Sequence, residues 1–366
     1  MFVNISAFFY FFFSVIGVYV IFMPKILQEL GYSTSQIGII FAIAPMVRFL
    51  IPFLFLKLFS LSKKVLNFAL AGLLISAILF YITIDNFYLF LLANFLFGLS
   101  SGLLLPYIET FALEFLEKKR FGRSRLFGSI GFMLIGEILA SLLLDNPFAG
   151  IHLFFITIFL TTVFAYKISQ NSSDFKKREK LKKNKFNIFD NLPLWISIFL
   201  MQMSFGAFYQ FFTIYENEHG IDLQMISHLW TFGILCEIVL FYYQNKFLKY
   251  NLYSIIKFTT FVTSIRWLLL YLFPNMLIVS FISQSFHALS FALYHTATLS
   301  YLYSKYENKT LATQFYYGFG FGLGGFVGSL IAGKMYGEYL YLMTAIIAFI
   351  SFAVLYQTQL KKHKFK

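Results

Sequence analysis

Apolar runs of about 20 residues alternate with short polar connections along the whole chain, each run long enough to cross a bilayer core as a helix. The runs lie at 5–27, 34–59, 63–83, 87–117, 122–144, 150–169, 192–216, 222–248, 251–272, 275–305, 309–335 and 338–360. They predict an all-α integral membrane protein of twelve transmembrane helices. The one strongly polar insert, SQNSSDFKKREKLKKNKFN, falls between the sixth run and the seventh. Its charge and lack of periodicity mark a solvated linker with room for a short surface helix. The expected organisation is a six-helix bundle over residues 1–169, a cytoplasmic linker over 170–191 and a second six-helix bundle over 192–366. The opening MFVNIS has neither a basic leader region nor a small-residue cleavage site, so the first run is expected to stay as a helix.

Equal run counts on either side of the insert suggest a duplication, and an offset of 189 residues tests it. Glu29 then falls on Glu218, Gly31 on Gly220, Ile37 on Ile226, Lys57 on Lys246, Ser101 on Ser290, Gly131 on Gly320 and Gly136 on Gly325. The ionisable residues do not repeat: His287 falls on Gly98, His295 on Pro106 and Glu237 on Arg48. That inequality is expected if one half handles protons and the other positions substrate.

Composition agrees with a membrane protein, at 59% hydrophobic and only 12% charged residues, far from the polar surface a soluble domain of this length needs. The net charge of +13 would suit nucleic acid, but its placement decides otherwise. Of the 29 lysines and arginines, all but Lys25, Arg48, Lys257, Arg266 and Lys334 fall on or beside alternate connections, the insert and the C-terminal tail. This is the positive-inside asymmetry. It implies a multi-pass protein of the cell inner (cytoplasmic) membrane with both termini cytoplasmic, and its partner is the lipid bilayer, not nucleic acid. The single cysteine, Cys236, excludes an intramolecular disulfide.

The stretch RFGRSRLFGSIGFML (120 to 134), following PYIETFALEF (106 to 115), resembles the segment joining helices four and five in lactose permease and the related bacterial phenylpropionate transporter. LWTFGILCEIVLF (229 to 241), SIRWLLL (264 to 270) and SQSFHALSFALYHTATLSYL (283 to 302) are similar to the corresponding second-half segments, with both histidines at the same eight-residue spacing. The chain thus resembles this branch of the major facilitator superfamily over most of its length. The resemblance implies two parallel six-helix repeats with a substrate path between them. It gives Glu109 and Arg125 a substrate-binding role and places Glu237, Arg266 and His287 in a substrate and proton-coupling network. One departure is Ser290, which stands where lactose permease has its proton-carrying glutamate, so the proton site cannot simply be transferred. The loop LKLFSLSKKVL is a degenerate form of the superfamily signature.

The residues themselves carry part of the same reading. A charge retained at mid-bilayer costs roughly 2.5–3.5 kcal/mol, so one that is kept faces a cavity or a partner. Arg48, Glu109, Glu137, Glu237, Arg266, His287 and His295 all fall deep within the apolar runs. Glu237 and His287 both fall near the midplane, where they are able to meet. His287 and His295 are eight residues apart, hence about 80° around an α-helix and roughly 12 Å along it. That is the wrong spacing for a metal chelate and a suitable one for successive proton stations on adjoining faces. Glu109 and Arg125 read equally as ligand groups or as an ion pair holding two helices together, and Arg48 as a structural partner of a first-half acid. Gln202 and Tyr209, seven residues apart on one helix face, are candidates to line the substrate path. GFGLGG (320 to 325) matches a dinucleotide fingerprint without the strand it requires, and Gly320, Gly324 and Gly328 read as a close-packing face instead.

No nucleophile with its base, metal set, output domain or Walker A loop is found in the sequence. A secondary active transporter follows, expected to couple uptake of a small organic solute such as a sugar, nucleoside or aromatic acid to protons by alternating access, as a monomer and with no cofactor beyond the proton gradient. Proton-driven export is the alternative within transport, and a membrane enzyme or sensor the alternative outside it.

Overall fold

In the computed structural model the chain is described over residues 1–57, 62–116, 118–143, 146, 148–170 and 188–364. Most of the linker and part of the LKLFSLSKKVL loop lie outside the described residues. Among them, eleven helices are long and apolar enough to cross a membrane, which makes this a multi-pass membrane protein. The last apolar run forms a shorter apolar helix, Leu340–Tyr356, so the expected twelfth span does not meet the same measure. Large apolar side chains such as Ile82, Tyr242 and Ile278 stand exposed, as expected where the solvent is lipid.

Two compact units divide the chain, Met1–Lys180 and Leu181–Lys366. The first contains α1 (Phe2–Glu29), α2 (Thr34–Lys57), α3 (Lys63–Thr83), α4 (Phe87–Phe115), α5 (Lys118–Leu142) and α6 (Ala149–Ser169). Helix α1 packs on α5 and α6, α3 on α4 and α6, and α2 on α4. Its core is aromatic, with Tyr19, Phe80, Phe97 and Phe154 in mutual contact and the buried Tyr19 hydroxyl donating to Asn94 Oδ1 at 2.9 Å. Apolar side chains gain little by leaving lipid for protein, so close packing and such internal hydrogen bonds hold the helices together.

The second unit contains α7 (Leu192–Glu218), α8 (Leu223–Phe247), α9 (Leu252–Leu272), α10 (Leu277–Lys305), α11 (Leu311–Lys334) and α12 (Leu340–Lys364). Here α7 packs on α11 and α12, α9 on α10 and α12, and α8 on α10. Each pairing repeats one in the first unit, six helices on.

The repeat reaches the backbone. Gly31 (φ 89°) and Gly220 (φ 88°) both lie in the left-handed region that disfavours a Cβ. Tyr32 N donates to Leu27 O and Gly31 N to Gln28 O, while Ile221 N donates to Glu216 O and Gly220 N to Asn217 O. These are the same helix stop, 189 residues apart. The close helix crossings also correspond. A Cβ on Gly17 would meet Ile135 of α5 at 2.6 Å, and one on Gly206 would press into the Gly328 backbone of α11. Gly324 and Gly328 face α7 in turn, at the Phe199 and Met203 carbonyls, which is the close-packing role expected of them.

Candidate functional site

Arg266 projects from α9, whose start is fixed by Asn251 accepting from Ser254 N at 3.0 Å. The side chain is wholly buried. A guanidinium offers five N–H donors and no acceptor, and three of its contacts go to α10. Nη1 donates to His287 Nδ1 at 3.1 Å and to Ser290 Oγ at 3.0 Å, and Nη2 donates to Gln284 Oε1 at 3.2 Å. Its carbon lies 4.3 Å from the Phe208 ring centre and 4.4 Å from that of Trp267. Trp267 is itself held by a 3.2 Å hydrogen bond from Nε1 to Ser204 Oγ. Arg266 Nε finds no partner, nor does Gln284 Nε2. Among the described residues no carboxylate touches the guanidinium directly.

The carboxylate enters one residue further on. Glu237 Oε2 of α8 lies 3.5 Å from His287 Nε2, so the expected meeting of Glu237 and His287 occurs. Three helices thereby carry one polar chain, Arg266 to His287 to Glu237. Its geometry fixes the imidazole's hydrogen. Arg266 is able only to donate, so Nδ1 must accept, and the neutral ring carries its proton on Nε2, facing Glu237. A doubly protonated His287 would set N–H against N–H. Exposure falls along the chain, from 19% for the Glu237 side chain to 9% for His287 and 0% for Arg266. Glu237 is therefore the most exposed end of the chain.

His287 and His295 do not lie on adjoining faces. Residues Ala288–Leu293 form a π-helical segment within α10, and its wider turn rotates less per residue than an α-helix does. Phe291 stacks on His287 (5.2 Å, 3°) and on His295 (6.1 Å, 16°), so the three rings form one column. The expected 80° separation holds only for an unbroken α-helix, and the π segment removes it. His295 contacts the Tyr316 hydroxyl through Nδ1 at 3.1 Å and the Tyr317 hydroxyl through Nε2 at 3.4 Å. These tyrosines open another π-helical segment, Tyr316–Gly324.

In the first unit Arg125 Nε lies 3.3 Å from Glu109 Oε1, with the two side chains 35% and 34% exposed. The guanidinium covers Phe13 at 3.9 Å and Phe9 at 5.5 Å. An acid, a fork of donors and an aromatic face thus stand together. Arg48 is exposed on α2. Of the two α7 candidates, Gln202 is buried against Gly320 and Gly324, while Tyr209 is half-buried and stacks on Phe205 at 5.6 Å.

One buried acid was not anticipated. Glu216, near the end of α7, is wholly buried; the run of sequence around it, ENEHGID, reads as a polar connection. The available signal was the offset, which places Glu216 on Leu27, an acid where the other half has a core aliphatic. Among the described residues no group of three His, Cys, Asp or Glu side chains is placed to hold a metal ion.

Known structures share this fold. A variant of the nucleoside transporter NupG superposes with a TM-score of 0.82 at 13% identity, covering 97% of this chain and 99% of its own. The POT family transporter PepTSo gives 0.75 at 11% identity, covering 100% and 98%, and a D-xylose-proton symporter gives 0.72 at 10% identity, covering 96% and 95%. At these identities the likeness is one of fold. The three are transporters, not enzymes, and no curated protein matches the sequence. The model of the MFS_1 like family matches residues 2–356, nearly the whole length, and the chain belongs to that family.

Proposed function

We propose that the protein is a secondary active transporter that takes up a small organic solute, a sugar, nucleoside or aromatic acid, together with protons by alternating access. The observation that carries this is the chain Arg266–His287–Glu237 within membrane-spanning helices. A wholly buried cation is compensated there by a carboxylate acting through a neutral imidazole. When Glu237 takes a proton the chain loses its negative end, and the Arg266 guanidinium is left uncompensated in a low-dielectric site, at a cost of several kcal/mol. Protonation thus works against the packing of α8, α9 and α10 seen here, and that is what coupling requires.

Substrate binding is assigned in the same reading to Glu109 and Arg125 of the first unit, and Tyr209 is a separate candidate on α7 of the second. The partly exposed ion pair suits a ligand with hydroxyls or a carboxylate, and the Phe13 ring beneath the guanidinium suits an apolar or sugar face. The proposed arrangement is two six-helix bundles, residues 1–169 and 192–366, joined by the basic linker. It sits in the cytoplasmic membrane with both termini inside, works as a monomer and needs no cofactor. The test is uptake of labelled uridine, D-xylose and phenylpropionate into energised right-side-out vesicles. Accumulation that collapses with a protonophore supports the reading; efflux-only behaviour from preloaded vesicles overturns uptake.

A further inference from the structure

Glu216 belongs to no part of the site above. Its side chain is 0% exposed. Oε2 accepts from Ser280 Oγ of α10 at 2.9 Å, and Oε1 has no partner. Among the described residues no cation pairs with it. The hydroxyl of Tyr341 on α12, equally buried, is also without a partner, and Tyr341 and Tyr215 lie within electrostatic reach of the Glu216 carboxyl. Around these, Glu338 and Tyr271 act on Tyr215, and Tyr336 and Arg266 act on Tyr341. Tyr215 spends its hydroxyl on Leu270 O at 3.2 Å, and its ring meets that of His219 at 4.2 Å.

One serine hydroxyl does not compensate an ionised carboxylate taken out of water; such a group is kept only when paired with a cation or when it holds a proton. We infer that Glu216 is a second proton site, occupied in this conformation, which releases its proton to water when the end of α7 loosens. The backbone supplies the route. Glu216 O accepts from Ile221 N in the Gly220 stop, and Glu218 and Gly220 beside it are exposed. Opening that single turn brings the carboxyl to solvent, where the O–H bond breaks, the proton passes to water and the carboxylate remains hydrated. Unlike Glu237, which is partly accessible here, Glu216 is sealed, so the two acids exchange protons in different conformations. The role in coupling rests on the proposed proton symport; the protonation itself does not.

Infrared difference spectra of the full-length protein in lipid, recorded across pH steps and in H2O and D2O, read protonated carboxyls directly. The expected result at neutral pH is a buried carboxylic-acid band that disappears in Glu216→Gln and persists in Glu237→Gln, with both variants inserted and melting as cooperatively as the parent. An unchanged band in Glu216→Gln overturns the inference, as does a sodium-dependent rise in melting temperature lost in that variant, which would make this a cation site. The coupling role is read separately, with uridine, D-xylose and phenylpropionate as probes in proteoliposomes. Each proton per cycle adds a factor of about ten in accumulation per pH unit of gradient, so Glu216→Gln is expected to lose roughly that factor. Full accumulation in Glu216→Gln overturns its role in coupling, whereas full accumulation in Glu237→Gln overturns the parent reading and leaves the infrared result to decide the state of Glu216.

Discussion

Arg266 donates through Nη1 to Nδ1 of His287 at 3.1 Å, and this bond dictates which nitrogen of the imidazole carries the hydrogen. The acceptor role is specific to the proximal nitrogen. His287→Ala leaves a buried guanidinium donor unanswered and is expected to cost about 3 kcal/mol. His287→Asn, whose carbonyl oxygen stands close to where Nδ1 was, is expected to recover about half of that. Thermal melts of the two variants in detergent check the order, and equal melting temperatures would contradict the bond's importance.

Lysine is a poor substitute for Arg266. The fork reaches His287, Ser290 and Gln284 at once while its face lies on Phe208 and Trp267, and a single ammonium cannot reproduce both. Arg266→Lys is expected to insert normally and to lose accumulation by on the order of 10- to 100-fold, equivalent to the one or two charge-assisted hydrogen bonds removed. Wild-type accumulation in that variant would reduce the arginine to a space-filling cation.

The Glu109–Arg125 pair separates a ligand role from a structural one. Both side chains are about a third exposed, so the pair itself is worth no more than about 1 kcal/mol to stability. Glu109→Gln is therefore expected to melt within a degree or two of the parent and to lose at least roughly tenfold in transport, the loss of one charged ligand contact. A lower melting temperature with unchanged transport would show a helix tie and nothing more.

Two classes of glycine make opposite demands. Gly31 and Gly220 have open space around them and a positive φ, so Ala at either is expected to cost about 1 kcal/mol through backbone strain alone. At Gly328 a Cβ would collide with the Met203 backbone. Gly328→Ala is expected to cost about 1–3 kcal/mol or more through overpacking, and Gly328→Leu to prevent assembly of α7 with α11. Melting temperatures of the three Ala variants test the ranking.

Much of this was legible in the residues because membrane helices announce themselves by length and because a helix stop needs glycine. The 189-residue offset placed Gly31 on Gly220, and the two stops share hydrogen bonds and φ. The meeting of Glu237 with His287 followed from their depths along two helices. What the residues concealed was helix pitch. Nothing in SFHALSFALYHTA distinguishes a π segment from an α-helix, since the choice depends on how α10 packs against α8 and α9, and the column His287–Phe291–His295 depends on that choice. Glu216 is concealed for a related reason: the apolar run ends at it, yet α7 continues to Glu218 and keeps Glu216 inside.

Glu237 is the proposed proton carrier, and one variant separates that role from every structural one. Glu237→Gln keeps the shape and a hydrogen-bonding partner for His287 but takes up no proton. In proteoliposomes loaded with an accepted substrate, the variant is expected to exchange internal for external substrate while failing to accumulate it against a gradient when a pH difference is imposed. Accumulation equal to that of the parent protein would contradict proton coupling through the Arg266–His287–Glu237 chain.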